Sequence, residues 1–92
     1  MNDHTIGTLT IELLYLARLR EALGCGGETL TLAAPATVAD ALAALCARGA
    51  PWEAELGGSR VFRVAVDQDM ATVDTALRDG AEVALFPPVT GG

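Results

Sequence analysis

From residue 8 to residue 15 polar and apolar side chains nearly alternate, with Leu9, Ile11, Leu13 and Tyr15 on one face and Thr8, Thr10, Glu12 and Leu14 on the other. A period of two over this length predicts a half-buried strand. Residues 17–23 change to helix formers, with Leu19 and Leu23 four apart, until glycines at 24, 26 and 27 stop them, which predicts a short helix or turn. Residues 28–32 alternate again, placing Leu30 and Leu32 on one side, and the short connection makes this segment an antiparallel partner of the first strand. Pro35 closes it. Thr37, followed three residues later by Asp40, predicts a helix N-cap with an acidic first turn, and Val38, Leu42, Leu45 and Cys46 form the apolar stripe of that helix. Gly49 and Pro51 end it. Trp52 and Leu56 suit a helical turn that Gly57-Gly58 terminates. Residues 60–67 read as a strand with Phe62, Val64 and Val66 on one face, and residues 70–73 as a short extended piece. A turn at Arg78-Asp79-Gly80 then leads to a last strand over residues 82–86.

This order predicts an α+β domain: a mixed sheet of about five strands with one principal helix packed on one face. The first and last long strands, rich in β-branched or large apolar residues, belong side by side at its centre. The uncovered face must then be polar or meet a partner. Ninety-two residues suffice for one domain.

Composition narrows the partners. The longest unbroken apolar run, residues 41–47, falls far short of the roughly 18 residues a membrane span needs. No secretory signal or lipidation motif is visible, so a soluble, cytoplasmic protein is expected, without membrane association. A formal charge of −6 repels phosphate backbones, which argues against nucleic acid and favours steering toward a basic protein surface. Cys25 and Cys46 lack metal or redox spacing. Cys46 is expected as a buried inert thiol and Cys25 as an exposed loop residue, while no metal site is expected. Trp52, the only tryptophan, is expected as a core anchor. The lone His4 has no partner for acid–base or nucleophilic catalysis placed by spacing.

The chain ends Phe86-Pro87-Pro88-Val89-Thr90-Gly91-Gly92. Two prolines cannot extend a sheet ladder and stiffen the exit into an extended direction. The four residues beyond them reach roughly 13 Å, and a diglycine offers a narrow cleft a backbone without side chains. Glycine-rich ends are commonly frayed and carry no meaning alone. Here the strand-final Phe, the stiff Pro-Pro and the terminal diglycine occur together.

On these residues the chain resembles the small, sulfur-carrying subunits of molybdopterin synthase, within the ubiquitin-like β-grasp group. The resemblance covers residues 10–92. It is most specific in Asp79-Gly80, Glu82-Val83-Ala84 and Phe86 to Gly92, supported by Ala17 with Arg20-Glu21, Thr37-Val38, Trp52 and Ala65-Val66 before Gln68. It implies a β-grasp domain over residues 8–88, a flexible extension over 1–7 and an extended diglycine tail over 89–92.

The resemblance also implies a cycle. A ubiquitin-activating-like enzyme consumes ATP to adenylate Gly92, a sulfur-donating protein converts the adenylate to a thiocarboxylate, and the tail donates sulfur to cyclic pyranopterin monophosphate inside the large subunit. That partner would hold the catalytic groups, in a heterotetramer built on a dimeric large subunit, and this chain would bind no cofactor. Gly92 would carry the adenylate and the sulfur, Gly91 would give clearance, and Val89 and Thr90 would line the cleft. Leu16, Arg20, Met70, Phe86, Pro87 and Pro88 would form the interface around the tail's base. Alternation with Val83 and Leu85 independently places Phe86 on the uncovered face. A carrier of the same fold serving thiazole, cysteine or transfer-RNA thiolation is the nearest alternative. A ubiquitin-like protein modifier is the alternative of another class.

Overall fold

The computed structural model describes residues 7–57 and 61–88. Its elements run β1 (Thr8–Tyr15), α1 (Arg18–Leu23), β2 (Gly27–Ala33), β3 (Ala36–Thr37), α2 (Val38–Cys46), α3 (Trp52–Leu56), β4 (Arg63–Val66), β5 (Asp69–Ala71), β6 (Ala76–Leu77) and β7 (Glu82–Phe86). The main sheet has the order β2-β1-β7-β4-β5, so the first and last long strands lie together at its centre. They run parallel, with Leu13 beside Val83 and Tyr15 beside Leu85, while the other neighbours are antiparallel. The expected α+β architecture is present.

Alternation in β1 and β7 decides the two faces of the sheet. Leu9, Ile11, Leu13, Tyr15, Val83 and Leu85 are buried against Val38, Ala41 and Leu45 of α2, Leu19 and Leu23 of α1 and Leu56 of α3. Each such large side chain contributes about 1.5–3 kcal/mol by leaving water. On α2 the buried stripe is Val38, Ala41 and Leu45, whereas Leu42 and Cys46 pack half-buried at its margin. The helix opens with a capping box: the Asp40 N–H donates to Thr37 Oγ1 at 3.4 Å and the Thr37 N–H to Asp40 Oδ2 at 2.8 Å.

Several expectations are corrected. The strand expected over 60–67 is shorter, because Asp67 and Gln68, at φ 51° and 73°, form a two-residue hairpin turn into β5. The turn is fixed from β7: the Glu82 N–H donates to Asp67 Oδ1 at 3.0 Å and holds the Asp67 carboxyl below its ordinary range. The extended piece over 70–73 is displaced to Asp69–Ala71, with Thr72 to Thr75 forming a turn. β3 and β6 form a small second sheet with no counterpart in the sequence pattern. Just before β1, the Gly7 carbonyl accepts from the Ala34 N–H at 2.9 Å and prolongs the β1–β2 pairing by one bond. His4, Gly58 and Arg60 lie outside the described residues.

One polar cluster fastens the end of β1 on the helix side of the sheet. The buried Tyr15 hydroxyl donates to Glu28 Oε2 at 2.7 Å, and Arg48 grips both oxygens of Glu28 at 2.9 Å. Arg48 also stacks over Trp52, 4.5 Å from the ring centroid, and Trp52 meets Tyr15 at 5.5 Å between centroids. Trp52 is thus half-buried at the rim of the core rather than deep within it. Arg48 holds the Glu28 carboxyl below its ordinary range, with Tyr15 adding to the effect, whereas burial foremost pushes the Tyr15 phenol up. Cys25 packs half-buried against the core, contrary to its expected exposure, because its loop is tied to β1 through the Tyr15 N–H and the Gly26 carbonyl.

All six basic residues of the sequence are arginines. Among those described, Arg18 pairs with Glu55 at 2.8 Å and Arg78 with Asp67 at 3.3 Å, besides the Arg48–Glu28 pair. No helix among the described residues is long and apolar enough to cross a membrane.

Candidate functional site

The helix-free face of the sheet is built from the residues that alternate with the core. Register puts Thr8, Thr10, Glu12 and Leu14 of β1 on it, with Gly27, Thr29, Thr31 and Ala33 of β2. From β7 come Glu82, Ala84 and Phe86, from β4 Arg63 and Ala65, and from β5 Met70. This surface is divided. At one end Thr8, Thr10, Thr29, Thr31, Glu12 and Glu82 make it polar, and the Thr10 and Thr31 hydroxyls sit 3.0 Å apart. At the other end Leu14, Ala65, Met70, Ala84 and Phe86 make it apolar.

The apolar end is where the chain leaves the sheet. Phe86 closes β7 and is half-buried on this face; Pro87 and Pro88 follow, also half-buried. The Leu16 N–H donates to the Leu85 carbonyl at 3.0 Å, which fixes Leu16, 42% exposed, beside Phe86. Met70 is 63% exposed and stands across Ala65 from Ala84, two strand spacings or about 10 Å from β7. Leu16, Met70 and Phe86 therefore share one surface at the base of the tail. Val89, Thr90, Gly91 and Gly92 lie outside the described residues.

Arg20 occupies different ground. Its guanidinium packs over the backbone of Gly26, so close that a Cβ there would lie 3.2 Å from Cζ, in a depression lined also by Ala17, Glu21, Gly24 and Cys25. Ala17, at φ 54°, makes the turn that carries the chain from Leu16 into α1 and so aims Arg20 toward the β2 loop. A second feature has little signature in the sequence: a groove of about 340 Å³ beside β4 and β5, in which Val61, Met70 and Val73 are exposed around Arg63. Its only signal in the sequence is that Arg63 alternates with Val64.

The site holds little chemistry of its own. Among the described residues no group of three or more His, Cys, Asp or Glu side chains could hold a metal ion. What the geometry offers is an apolar platform at the end of a central strand, with the chain continuing from it.

A five-stranded mixed sheet ordered 2-1-7-4-5 with its helices on one face is the ubiquitin-like β-grasp fold. It is shared with the small archaeal modifier protein 1 of Haloferax volcanii at TM-score 0.76 and 30% identity, over 88% of this chain and 99% of that one. Within that class the chain belongs to the ThiS family, which it matches over residues 13–92. It is 36% identical to the molybdopterin synthase sulfur carrier subunit of Escherichia coli K12, over 89% of this chain and 99% of the relative. To the carrier subunit of Chlamydomonas reinhardtii it is 32% identical, over 91% and 100%.

Proposed function

We propose that this chain is the sulfur carrier subunit of a molybdopterin synthase. The observation that carries the reading is the apolar end of the outer face, where Leu16, Met70 and Phe86 surround the exit of Pro87-Pro88 from the central strand. A soluble domain gains nothing in water from such a patch beside its tail; a partner that covers it would draw the tail into its own cleft.

In this reading residues 89–92 extend into that cleft and Gly92 bears the reactive carboxyl. Oxide is too poor a leaving group for direct acyl transfer, so activation comes first. The Gly92 carboxylate attacks the α-phosphate of ATP on a ubiquitin-activating-like enzyme and releases pyrophosphate. The outer sulfur of a donor protein's persulfide then attacks the acyl carbon and expels AMP, and a thiol cleaves the resulting acyl disulfide, forming a disulfide with the donor's sulfur and releasing the thiocarboxylate. The anionic sulfur attacks a side-chain carbon of cyclic pyranopterin monophosphate within the large subunit, whose acid–base groups help an oxygen substituent leave. Water then cleaves the resulting thioester, leaving the sulfur on the pterin and returning the Gly92 carboxylate. Val89 and Thr90 line the entry and Gly91 gives clearance. The assembly is a cytoplasmic heterotetramer on a dimeric large subunit, and this chain itself holds no cofactor.

The test is reconstitution. Thiocarboxylated carrier, large subunit and pterin precursor should give molybdopterin, and a chain lacking Gly92 should give none while keeping its circular dichroism. An intact, thiocarboxylated carrier that yields no product would refute the assignment and turn attention to thiazole, cysteine or transfer-RNA thiolation. Likeness to an archaeal modifier protein favours a second reading, conjugation to lysines. Intact mass separates the two: oxygen-to-sulfur exchange marks the carrier, and conjugates without exchange mark the modifier.

A further inference from the structure

Arg63 stands out on the apolar end of the outer face. Register places it directly across from Phe86, and it is exposed within the groove that Val61, Met70 and Val73 line. Among the described residues it is the single cation that the strands of this face present, the acidic Glu12 and Glu82 lying toward the opposite end. Arg18, Arg48 and Arg78 are each spent on a carboxylate of this chain, and Arg20 lies over Gly26. Among the described residues no carboxylate lies within ion-pair distance of Arg63.

From this we infer that the protein partner covering the Phe86 platform presents an aspartate or glutamate to Arg63, which makes Arg63 the residue that selects the partner and sets its register. The inference rests on the proposed function only in taking that partner to be the synthase large subunit. Closing an apolar surface over Phe86 and Met70 strips water from the guanidinium of Arg63, which is paired across from Phe86 and lines the same groove as Met70. A desolvated, unpaired charge opposes binding far more strongly than the apolar contact next to it can absorb. The complex is favourable only if the partner returns an acceptor, and a carboxylate matches the planar fork with two parallel hydrogen bonds. The sign is informative. A chain of net charge −6 is steered toward a basic surface as a whole, so one carboxylate set in that basic surface, opposite Arg63, distinguishes the correct docking from a rotated one.

The test measures dissociation constants for the large subunit with wild-type carrier, Arg63→Lys, Arg63→Leu and Arg63→Glu, at low and high salt. Arg63 is exposed, so circular dichroism should be the same for all four. Arg63→Glu should weaken binding by roughly 100-fold, Arg63→Leu by roughly 10-fold, and Arg63→Lys by less, because it keeps the charge and loses the fork. An Asp or Glu to Arg change on the facing surface of the large subunit should restore binding to Arg63→Glu and to none of the others. If wild type binds and transfers sulfur while Arg63→Leu and Arg63→Glu match it, the inference is wrong and the carrier assignment stands. If wild type does not bind the large subunit at all, both fall. A wild-type dimer that Arg63→Glu dissociates without loss of partner affinity would give the groove to a second copy and also overturn the inference.

Discussion

Replacing Tyr15 by phenylalanine removes one oxygen from a fully buried site and leaves the packing against Trp52 in place. That oxygen donates to Glu28 at 2.7 Å, and Glu28 is ionised at neutral pH because Arg48 holds its carboxyl below the ordinary range. A hydrogen bond to a charged acceptor contributes about 1.5–3 kcal/mol. Arg48 continues to hold both Glu28 oxygens in the variant, and the Glu28 side chain is 26% exposed, so water replaces part of the loss. The expected cost is about 1–2 kcal/mol, a fall of roughly 5–10 °C in Tm for a domain of this size. The pH dependence follows from the direction of the Glu28 shift. Because the folded value is depressed, the stabilisation is complete above the unfolded carboxyl pKa and is lost as pH falls through the folded one. Protonated Glu28 accepts only a neutral hydrogen bond, so the gap between wild type and Tyr15→Phe should shrink in acid. Urea midpoints for both proteins from pH 7 down to about pH 3 read this directly. Equal stability at pH 7, or a gap of constant size across the range, would refute the account of this cluster.

Thr37→Ala removes half of the capping box and should cost about 0.5–1 kcal/mol, seen as a lower urea midpoint with unchanged slope. Phe86→Ala should lower affinity for the large subunit by about 30-fold while far-ultraviolet circular dichroism is preserved, since Phe86 lies outside the core cluster. The sequence contains no lysine, so an adenylated carrier held without a sulfur donor meets no ε-amine on a second copy. Intact mass should then show monomer only, and Arg78→Lys, at a position 79% exposed, should allow linked dimers to form. A ladder from wild type would show that another nucleophile serves.

The long strands were legible because each presents one buried face, so the period of two in Leu9, Ile11, Leu13 and Tyr15 maps directly onto burial. The cap at Thr37 was legible because its chemistry is local. β3 and β6 were not, since two residues carry no period. The Asp67-Gln68 turn lacks the glycine that usually marks positive φ, and its stability comes from Glu82, fifteen residues away. Trp52 packs against the core, as expected, but nothing in the sequence indicates that Arg48 will cover its outer side. Phe86 followed from alternation within its own strand. Arg63 did not, because its meaning depends on which residue stands opposite, and that is a property of the register between β4 and β7.

The parallel pairing of β1 and β7 has a mechanical consequence. Tension applied beyond Pro88 runs along β7, which is bonded to β1 on one side and to β4 on the other. The load falls on both ladders in shear, so their bonds must yield together rather than peel one at a time. An edge strand leading into the tail would unzip. A domain gripped by this end can be drawn out of one protein and delivered to the next without unravelling from the point at which it is held.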